Sequence, residues 1–380
     1  MIDGERLAEL RKVAAEFVNI DKIVEIRELP GGHINSTYLL KMPEALYILQ
    51  RINNFVFPSP FGVMHNITEV TEYIRKKVIY EGKDPNRAVL NVVKSRYDQD
   101  IVIRNDNYWR CLQYIDGATA YQNVDSPEMF AEIGRAIGEF QCMLAGFHTR
   151  VLDETITHFH DTPYRYRHFL DDIKIDRVGR VEECKKEIRM IRDRVRYMNW
   201  IMLRIDDKSI PRRVTHNDTK PSNVLIDDET GKAICLIDLD TVMRGSLLFD
   251  FGDAIRIGAC TAEEDEVDLS KVNLRLDYFE AFTRAFLKEV KNLIVPEEVR
   301  GLYKSCLIIA LEISMRFLDD YINGDEYFKI ARPKHNLDRA RCQLQFVKEL
   351  EKNEDAINTI IRNILDELEF GPEFTLESEQ

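Results

Sequence analysis

The 380-residue chain has no run of about 18 apolar residues, the length a membrane-crossing helix needs. Its opening, Met-Ile-Asp-Gly-Glu-Arg-Leu, has neither a basic start nor an apolar block, so no secretory leader is expected. Cysteine never forms a CxxC pair. The seven stand singly, several inside apolar stretches such as 233–237, which leaves no dithiol motif and suits small core residues in a reducing compartment. The cytoplasm is the expected location. Base is in deficit: 53 Lys and Arg against 66 Asp and Glu give a net charge of −13. Such a field repels phosphate backbones and anionic headgroups, so neither nucleic acid nor membrane is an expected partner. Tryptophan is scarce, with Trp109 and Trp200 only, and there is no internal repeat or low-complexity tract.

What is present is ordinary globular texture, 44% hydrophobic and 31% charged, in a chain long enough for two lobes of unequal size. Leu7, Leu10, Val13, Ala14, Phe17 and Val18 recur at helical spacing. Residues 23–27, 37–41 and 46–52 read as antiparallel strands, separated by Gly31-Gly32 and Met42-Pro43. A helix over 64–77 follows, then strands at 89–93, 100–103 and 108–114, the last two joined by a turn at Asn105-Asp106-Asn107. Beyond residue 115 the chain turns helical. Met129, Ile133, Ile137, Phe140, Leu144 and Phe147 form an apolar stripe, 183–204 reads as one long helix, and further helices lie in 276–290, 299–318 and 337–368. A hairpin, 223–226 and 233–238, interrupts them. The reading is an α+β fold: a small antiparallel β-rich lobe over 1–115, a hinge near 113–117, and a larger helical lobe over 116–380, with a cleft between them as the place for a ligand.

The segment 214–240 carries the chemistry. It runs Val-Thr-His216-Asn217-Asp218-Thr219-Lys220-Pro221-Ser222-Asn223, through the hairpin, to Leu236-Ile237-Asp238-Leu239-Asp240. Phosphoryl transfer needs a positioned acceptor hydroxyl, a metal to neutralise phosphate charge, and cations around the moving group. Asp218 can take the proton of the attacking hydroxyl. Lys220 can reach the γ-phosphoryl oxygens of ATP. Asn223 and Asp238 offer the hard oxygens Mg²⁺ prefers. His216 suits a role in holding the loop. The order and spacing of these parts together, not any one of them, make the motif.

Other signals are weaker. Gly31-Gly32, followed by His33, could let backbone amides approach phosphate or could be a plain turn. In the third strand, where kinases place a cation for the α- and β-phosphates, Arg51 is the only cation, unless Gln50 occupies that position. Glu69 or Glu72 could pair with Arg51 or simply face solvent. His158, His160, Asp161 and His168 have a metal-like spacing with nothing nearby to complete a site, and a local structural role is expected.

At 216–223 and 237–240 the sequence resembles the aminoglycoside phosphotransferase and choline kinase superfamily, two-lobed enzymes with a protein-kinase-like fold. It is more similar to one branch, the N-acetylhexosamine 1-kinases, through 32–39, 45–53, 158–163, 215–223, 237–241 with 245–253, Met315-Arg316-Phe317-Leu318, Gly324-Asp325-Glu326-Tyr327-Phe328 and His335-Asn336-Leu337. That resemblance implies transfer of phosphate from ATP to the anomeric hydroxyl of N-acetylglucosamine or N-acetylgalactosamine. It implies Asp218 as base, Asn223 and Asp238 as magnesium ligands, and Asp250 as a brace for the loop. It further implies sugar contacts from His33, Arg316 and Tyr327, and adenine contacts from the backbone of Gln113, Tyr114 and Ile115. The physics suits a sugar: an anomeric hydroxyl is more acidic than a plain alcohol, so a modest base is adequate. A quaternary ammonium acceptor would want an aromatic cage. Another sugar, an amino alcohol or an aminoglycoside is the alternative acceptor. A monomer is expected.

Overall fold

The computed structural model describes residues 2–29 and 34–376. Gly31, Gly32 and His33 lie outside the described residues. The chain divides into two units. The smaller comprises Met1–Thr119, Arg150–Thr157 and Leu225–Met243, and the larger Ala120–Thr149, His158–Val224 and Arg244–Gln380. The smaller unit therefore takes in two stretches that lie far beyond residue 115, the hairpin among them.

In the smaller unit, β1 (Glu25–Glu28), β2 (Ser36–Lys41), β3 (Leu46–Ile52), β4 (Val92–Val93), β5 (Val102–Arg104) and β6 (Asn107–Gln113) form an antiparallel sheet in the order β1-β2-β3-β6-β4, with β5 also beside β6. Asn105 and Asp106 both have positive φ, +50° and +56°, the turn a two-residue hairpin between right-twisted strands requires. Strand alternation sends Tyr38, Leu40, Leu49, Trp109 and Cys111 to one face, where they bury against Leu10, Val13 and Ala14 of α1 (Gly4–Ala14). Each leucine or valine among them contributes about 1.5–3 kcal/mol by leaving water. The opposite face carries Thr37, Gln50 and Arg110 in register across β2, β3 and β6. Over that face lies α2 (Pro60–Tyr80), whose Met64 Sδ is 3.8 Å from the Arg110 guanidinium. This helix starts before its apolar periodicity does, because Ser59 accepts from Gly62 N and Pro60 takes the first position. After α3 (Pro85–Ala88), a second sheet of order β10-β9-β7 joins β7 (Ala118–Ala120), β9 (Val224–Asp227) and β10 (Ala233–Leu236).

In the larger unit, α4 (Pro127–Met143) buries Phe130, Ile133, Ile137 and Phe140 and packs on α10 (Leu276–Val290). The approach is close: a Cβ at Gly134 would stand 2.6 Å from Phe282 O. Next comes α5 (Thr162–Ile175), N-capped by Asp161. The single long helix expected over 183–204 is instead three short ones, α6 (Lys185–Arg192), α7 (Val195–Met198) and α8 (Trp200–Asp206). Asp193 and Asn199, residue types with low helix propensity, stand at the breaks. Then β8 (Arg213–Thr215) pairs with β11 (Met243–Gly245), and α9 (Leu247–Gly258) follows. A break at Gly301 separates α11 (Pro296–Arg300) from α12 (Leu302–Asn323); a side chain there would strike Trp200 and Leu248. The helix α12 packs against α5, α9 and α13 (His335–Lys352), and α14 (Glu354–Glu367) closes the set. Among the described residues no helix is long and apolar enough to cross a membrane.

Candidate active site

Between β8 and β9 the chain forms a loop whose backbone amides are gathered by two buried carboxylates of α9. Asp250, fully buried, accepts from His216 N at 3.1 Å, Asn217 N at 2.7 Å and the Gln141 side chain at 2.8 Å. Asp253 accepts from Thr219 N at 2.9 Å and is itself paired with Arg256 at 2.8 Å. Asn217 sits at φ +65°, a conformation asparagine tolerates better than most residues. Gly245 of β11 must lack a side chain, since a Cβ would lie 2.5 Å from Thr215 Oγ1. His216 is buried, and its Nδ1 lies 3.3 Å from Asp218 N, so it holds the loop's shape.

This scaffold presents three of the expected side chains together. Lys220 Nζ donates to Asp218 Oδ2 at 2.9 Å, and Asn223 Nδ2 donates to the same oxygen at 2.9 Å and to Asp218 O at 2.8 Å. Pro221 opens the tight turn that brings Asn223 back. Partial burial pushes the Asp218 carboxyl up, but the Lys220 ammonium, with His216 and the Asn223 amide, outweighs it and leaves the group below its ordinary value. Asp218 is therefore ionised at neutral pH. The Asn223 carbonyl oxygen, the atom a metal would take, is engaged in none of these bonds.

Within the smaller unit, Asp238 heads a tight turn, Leu239–Thr241, in the left-handed region at φ +61°, ψ +53°. Two residues on, Asp240 is buried against Arg110, with Nη1 to Oδ1 at 2.5 Å, and accepts from Asn35 Nδ2 at 2.7 Å. Arg110 Nε also donates to Gln50 Oε1 at 2.9 Å. Arg51, expected to meet the nucleotide, faces the other way: its guanidinium bonds Ser36 Oγ and Asn107 Oδ1 on the side of the sheet that α1 covers. Strand alternation is the cause, since neighbours in a strand take opposite faces. Glu69 and Glu72 are exposed, and Arg51 reaches no carboxylate among the described residues. The buried cation on the inner face is Arg110, which sequence reasoning missed. The available signal was an arginine in the middle of an otherwise apolar strand, Tyr108-Trp109-Arg110-Cys111-Leu112. Of the expected adenine contacts, the amides of Gln113 and Tyr114 are already bonded to Asn91 O and Leu46 O, while that of Ile115 takes no part in these bonds.

Among the described residues no three His, Cys, Asp or Glu side chains cluster to hold a metal. Near 160, His158 Nδ1 lies 2.9 Å from Asp161 Oδ2, and His160 Nδ1 lies 3.0 Å from Glu312 Oε1. Mg²⁺ in a nucleotide site needs only one or two side chains beside phosphates and water. The amide oxygen of Asn223 and the carboxylate of Asp238 are donors of the fitting kind.

A third cluster lies between α5 and α12. The Arg316 guanidinium is ringed by Phe159, Phe328 and Tyr327 at 4.9, 5.6 and 5.9 Å. So two of the expected sugar-site residues, Arg316 and Tyr327, do come together. Tyr327 stands on a loop fixed by Asp320, which accepts from the amides of Glu326, Tyr327 and Phe328 at 2.7–2.9 Å and from Asn336. One turn of α12 before Arg316, the buried Glu312 also accepts from Thr162 at 2.8 Å. Burial pushes Glu312 up, yet His160, Arg165 and Arg316 hold it at about 2. Burial and the neighbouring Arg316 lower Arg165 to about 10. At the far end, burial and then Asp172 push Asp319 up to about 8. His160 packs on Phe249 at 4.8 Å, the residue before Asp250, which links this cluster to the loop carrying Asp218.

Residues 25–289 match the phosphotransferase enzyme family APH. Among solved structures the chain is similar to a microcompartment-associated aminopropanol kinase, at 14% identity and TM-score 0.60 over 92% of this chain and 98% of that one. It is similar also to an aminoglycoside phosphotransferase from Alicyclobacillus acidocaldarius, at 13% and 0.59 over 93% and 95%. A third is an ethanolamine kinase from Plasmodium vivax, at 12% and 0.56 over 90% of each. At these identities the likeness is one of fold: the antiparallel sheet of one unit and the helices of the other make the expected α+β, protein-kinase-like class.

Proposed function

Because the chain belongs to the phosphotransferase enzyme family APH, we propose that it moves the γ-phosphate of ATP to the anomeric hydroxyl of an N-acetylhexosamine. The observation that carries this reading is Asp218 held beside Lys220 and Asn223 on a loop braced by Asp250 and Asp253. Asp218 takes the hydroxyl proton as the oxygen attacks the γ-phosphorus, and the bond from that phosphorus to the bridging oxygen of ADP breaks. A carboxylate base of modest strength suits an acceptor more acidic than a plain alcohol. Lys220 shifts from Asp218 toward the phosphoryl oxygens as charge develops there. Asn223 and Asp238, which flank the hairpin in sequence, would hold Mg²⁺, which supplies charge neutralisation on the phosphates. The Ile115 backbone is assigned to adenine. The Gly31-Gly32 pair is assigned to the phosphates, and His33 to the sugar, from the sequence alone.

The acceptor side favours an uncharged sugar. Arg316 and Arg165 stand beside Glu312, which His160 and Thr162 also engage, and Arg165 has Asp319 near it as well. The two guanidinium groups offer N–H donors to hydroxyl and amide oxygens. The alternative, an amino alcohol or aminoglycoside, draws support from the acidic pair Asp172–Asp319 and from the substrates named for the similar structures. Measuring ATP consumption with both N-acetylhexosamines, plain hexoses, choline, ethanolamine and an aminoglycoside separates the readings. Turnover with an N-acetylhexosamine well above all others is expected; none with either contradicts the reading. Asp218→Asn should bind nucleotide as the natural chain does while turnover falls by about 10²–10⁴-fold.

A further inference from the structure

We propose that the buried Arg110–Asp240 ion pair is a positioning device that fixes Asp238 for its metal, and that Arg110 does not itself meet the nucleotide. This rests on the reading of Asp238 as a magnesium ligand. Asp238 occupies the left-handed region, which aspartate tolerates better than most residues but which still needs a local constraint to hold it. The next few residues supply that constraint. The Asp240 carboxylate is held by Arg110 at 2.5 Å and Asn35 at 2.7 Å, its carbonyl accepts from Thr155 at 3.1 Å, and the Val242 carbonyl accepts from Asn66 at 2.8 Å. The turn after Asp238 is thus pinned by α2, β6 and two loops.

Arg110 is in turn placed by the sheet. Gln50, its register partner on β3, accepts from Arg110 Nε, and Gln50 Nε2 donates at 3.1 Å to Thr37, its own partner on β2. Three strands therefore feed one chain of hydrogen bonds that ends two residues from Asp238. The side chains of Arg110 and Asp240 are 2% and 3% exposed, so protein surrounds them on every side. Where a kinase puts a phosphate-binding cation on strand three, this sheet has a neutral glutamine. The cation stands one strand over, and its charge is spent on Asp240.

The test is calorimetric binding of ADP and a non-hydrolysable ATP analogue, with and without Mg²⁺, to the full chain and to Asp238→Asn, Asp240→Asn and Arg110→Gln. Mg²⁺ should strengthen binding to the natural chain, and Asp238→Asn should lose that gain. Asp240→Asn and Arg110→Gln should weaken the magnesium-dependent part by roughly tenfold or more, as loss of a group orienting a metal ligand does. Metal-free binding should hold. Since Arg110→Gln leaves a buried carboxylate unpaired and could unfold the chain, the neutral double variant Arg110→Gln/Asp240→Asn is the second arm. It should lose no more of the gain than Asp240→Asn alone. If Asp238→Asn loses the gain and Asp240→Asn keeps it, the inference is wrong and the reading of Asp238 stands. If Asp238→Asn keeps the gain, that reading fails first. Equal loss of metal-free binding in Arg110→Gln, or in the double variant, would mean that Arg110 touches the nucleotide directly and would overturn the proposal.

Discussion

Glu312 and Asp319, two turns apart on α12, titrate in opposite directions, and each direction fixes the sign of a pH effect. Glu312 is held at about 2 against an ordinary 4.5, so its contribution to stability is complete above the ordinary value and is lost as pH falls through about 2. Glu312→Gln leaves His160 and Arg165 without their carboxylate and should cost about 3–5 kcal/mol in urea unfolding at neutral pH. It should also flatten the acid limb of stability against pH. Asp319 is raised to about 8, with Asp172, Asp320 and Arg165 facing it, so its contribution is present below the ordinary carboxylate value and is lost as pH rises through about 8. The natural chain should lose melting temperature from neutral pH to about 9, and Asp319→Asn should lose less. At this scale the sequence was legible where chemistry is local. Asp218, Lys220 and Asn223 stand within six positions of one another, and their spacing alone puts them on one loop. Arg110 with Asp240 and His160 with Glu312 were not legible, because each pair is joined by strand register or helix packing that no local pattern carries.

The loop after α12 shows how an element is built around one residue. Asp320 collects three consecutive amides and the Asn336 side chain, and the loop so folded sets Tyr327 and Phe328 beside Arg316. Asp320→Ala should therefore raise KM for the proposed sugar acceptor several-fold and leave KM for the nucleotide nearly unchanged, which steady-state kinetics with each substrate varied would check. The packing of α4 on α10 depends on Gly134. Gly134→Ala puts a methyl group 2.6 Å from Phe282 O, on backbone that cannot swing away, and should cost about 1–3 kcal/mol in denaturant unfolding. Periodicity located α10 and the hairpin within a residue or two, because a regular stripe or a β-branched run with a glycine turn has one reading. It failed over 183–204, where charged residues at helical spacing hid the breaks at Asp193 and Asn199.

For the whole chain, composition and pattern gave the α+β class and the β-then-helix order. They did not give the assembly of the smaller unit from three separate stretches, since only tertiary contacts count 150–157 and 225–243 with the sheet. The net charge of −13 leaves the cations that matter as local exceptions: Lys220 at the loop, Arg316 in its aromatic ring, and Arg110 neutralised inside the sheet unit. The central claim joins these parts into one reaction, transfer to an anomeric oxygen with Asp218 as base. Phosphorus NMR of the products formed from Mg-ATP and N-acetylgalactosamine tests it most directly. A new resonance coupled to the sugar's anomeric proton, missing with Asp218→Asn, is the predicted result. Phosphate on another hydroxyl, or the same product at full rate from Asp218→Asn, would contradict it.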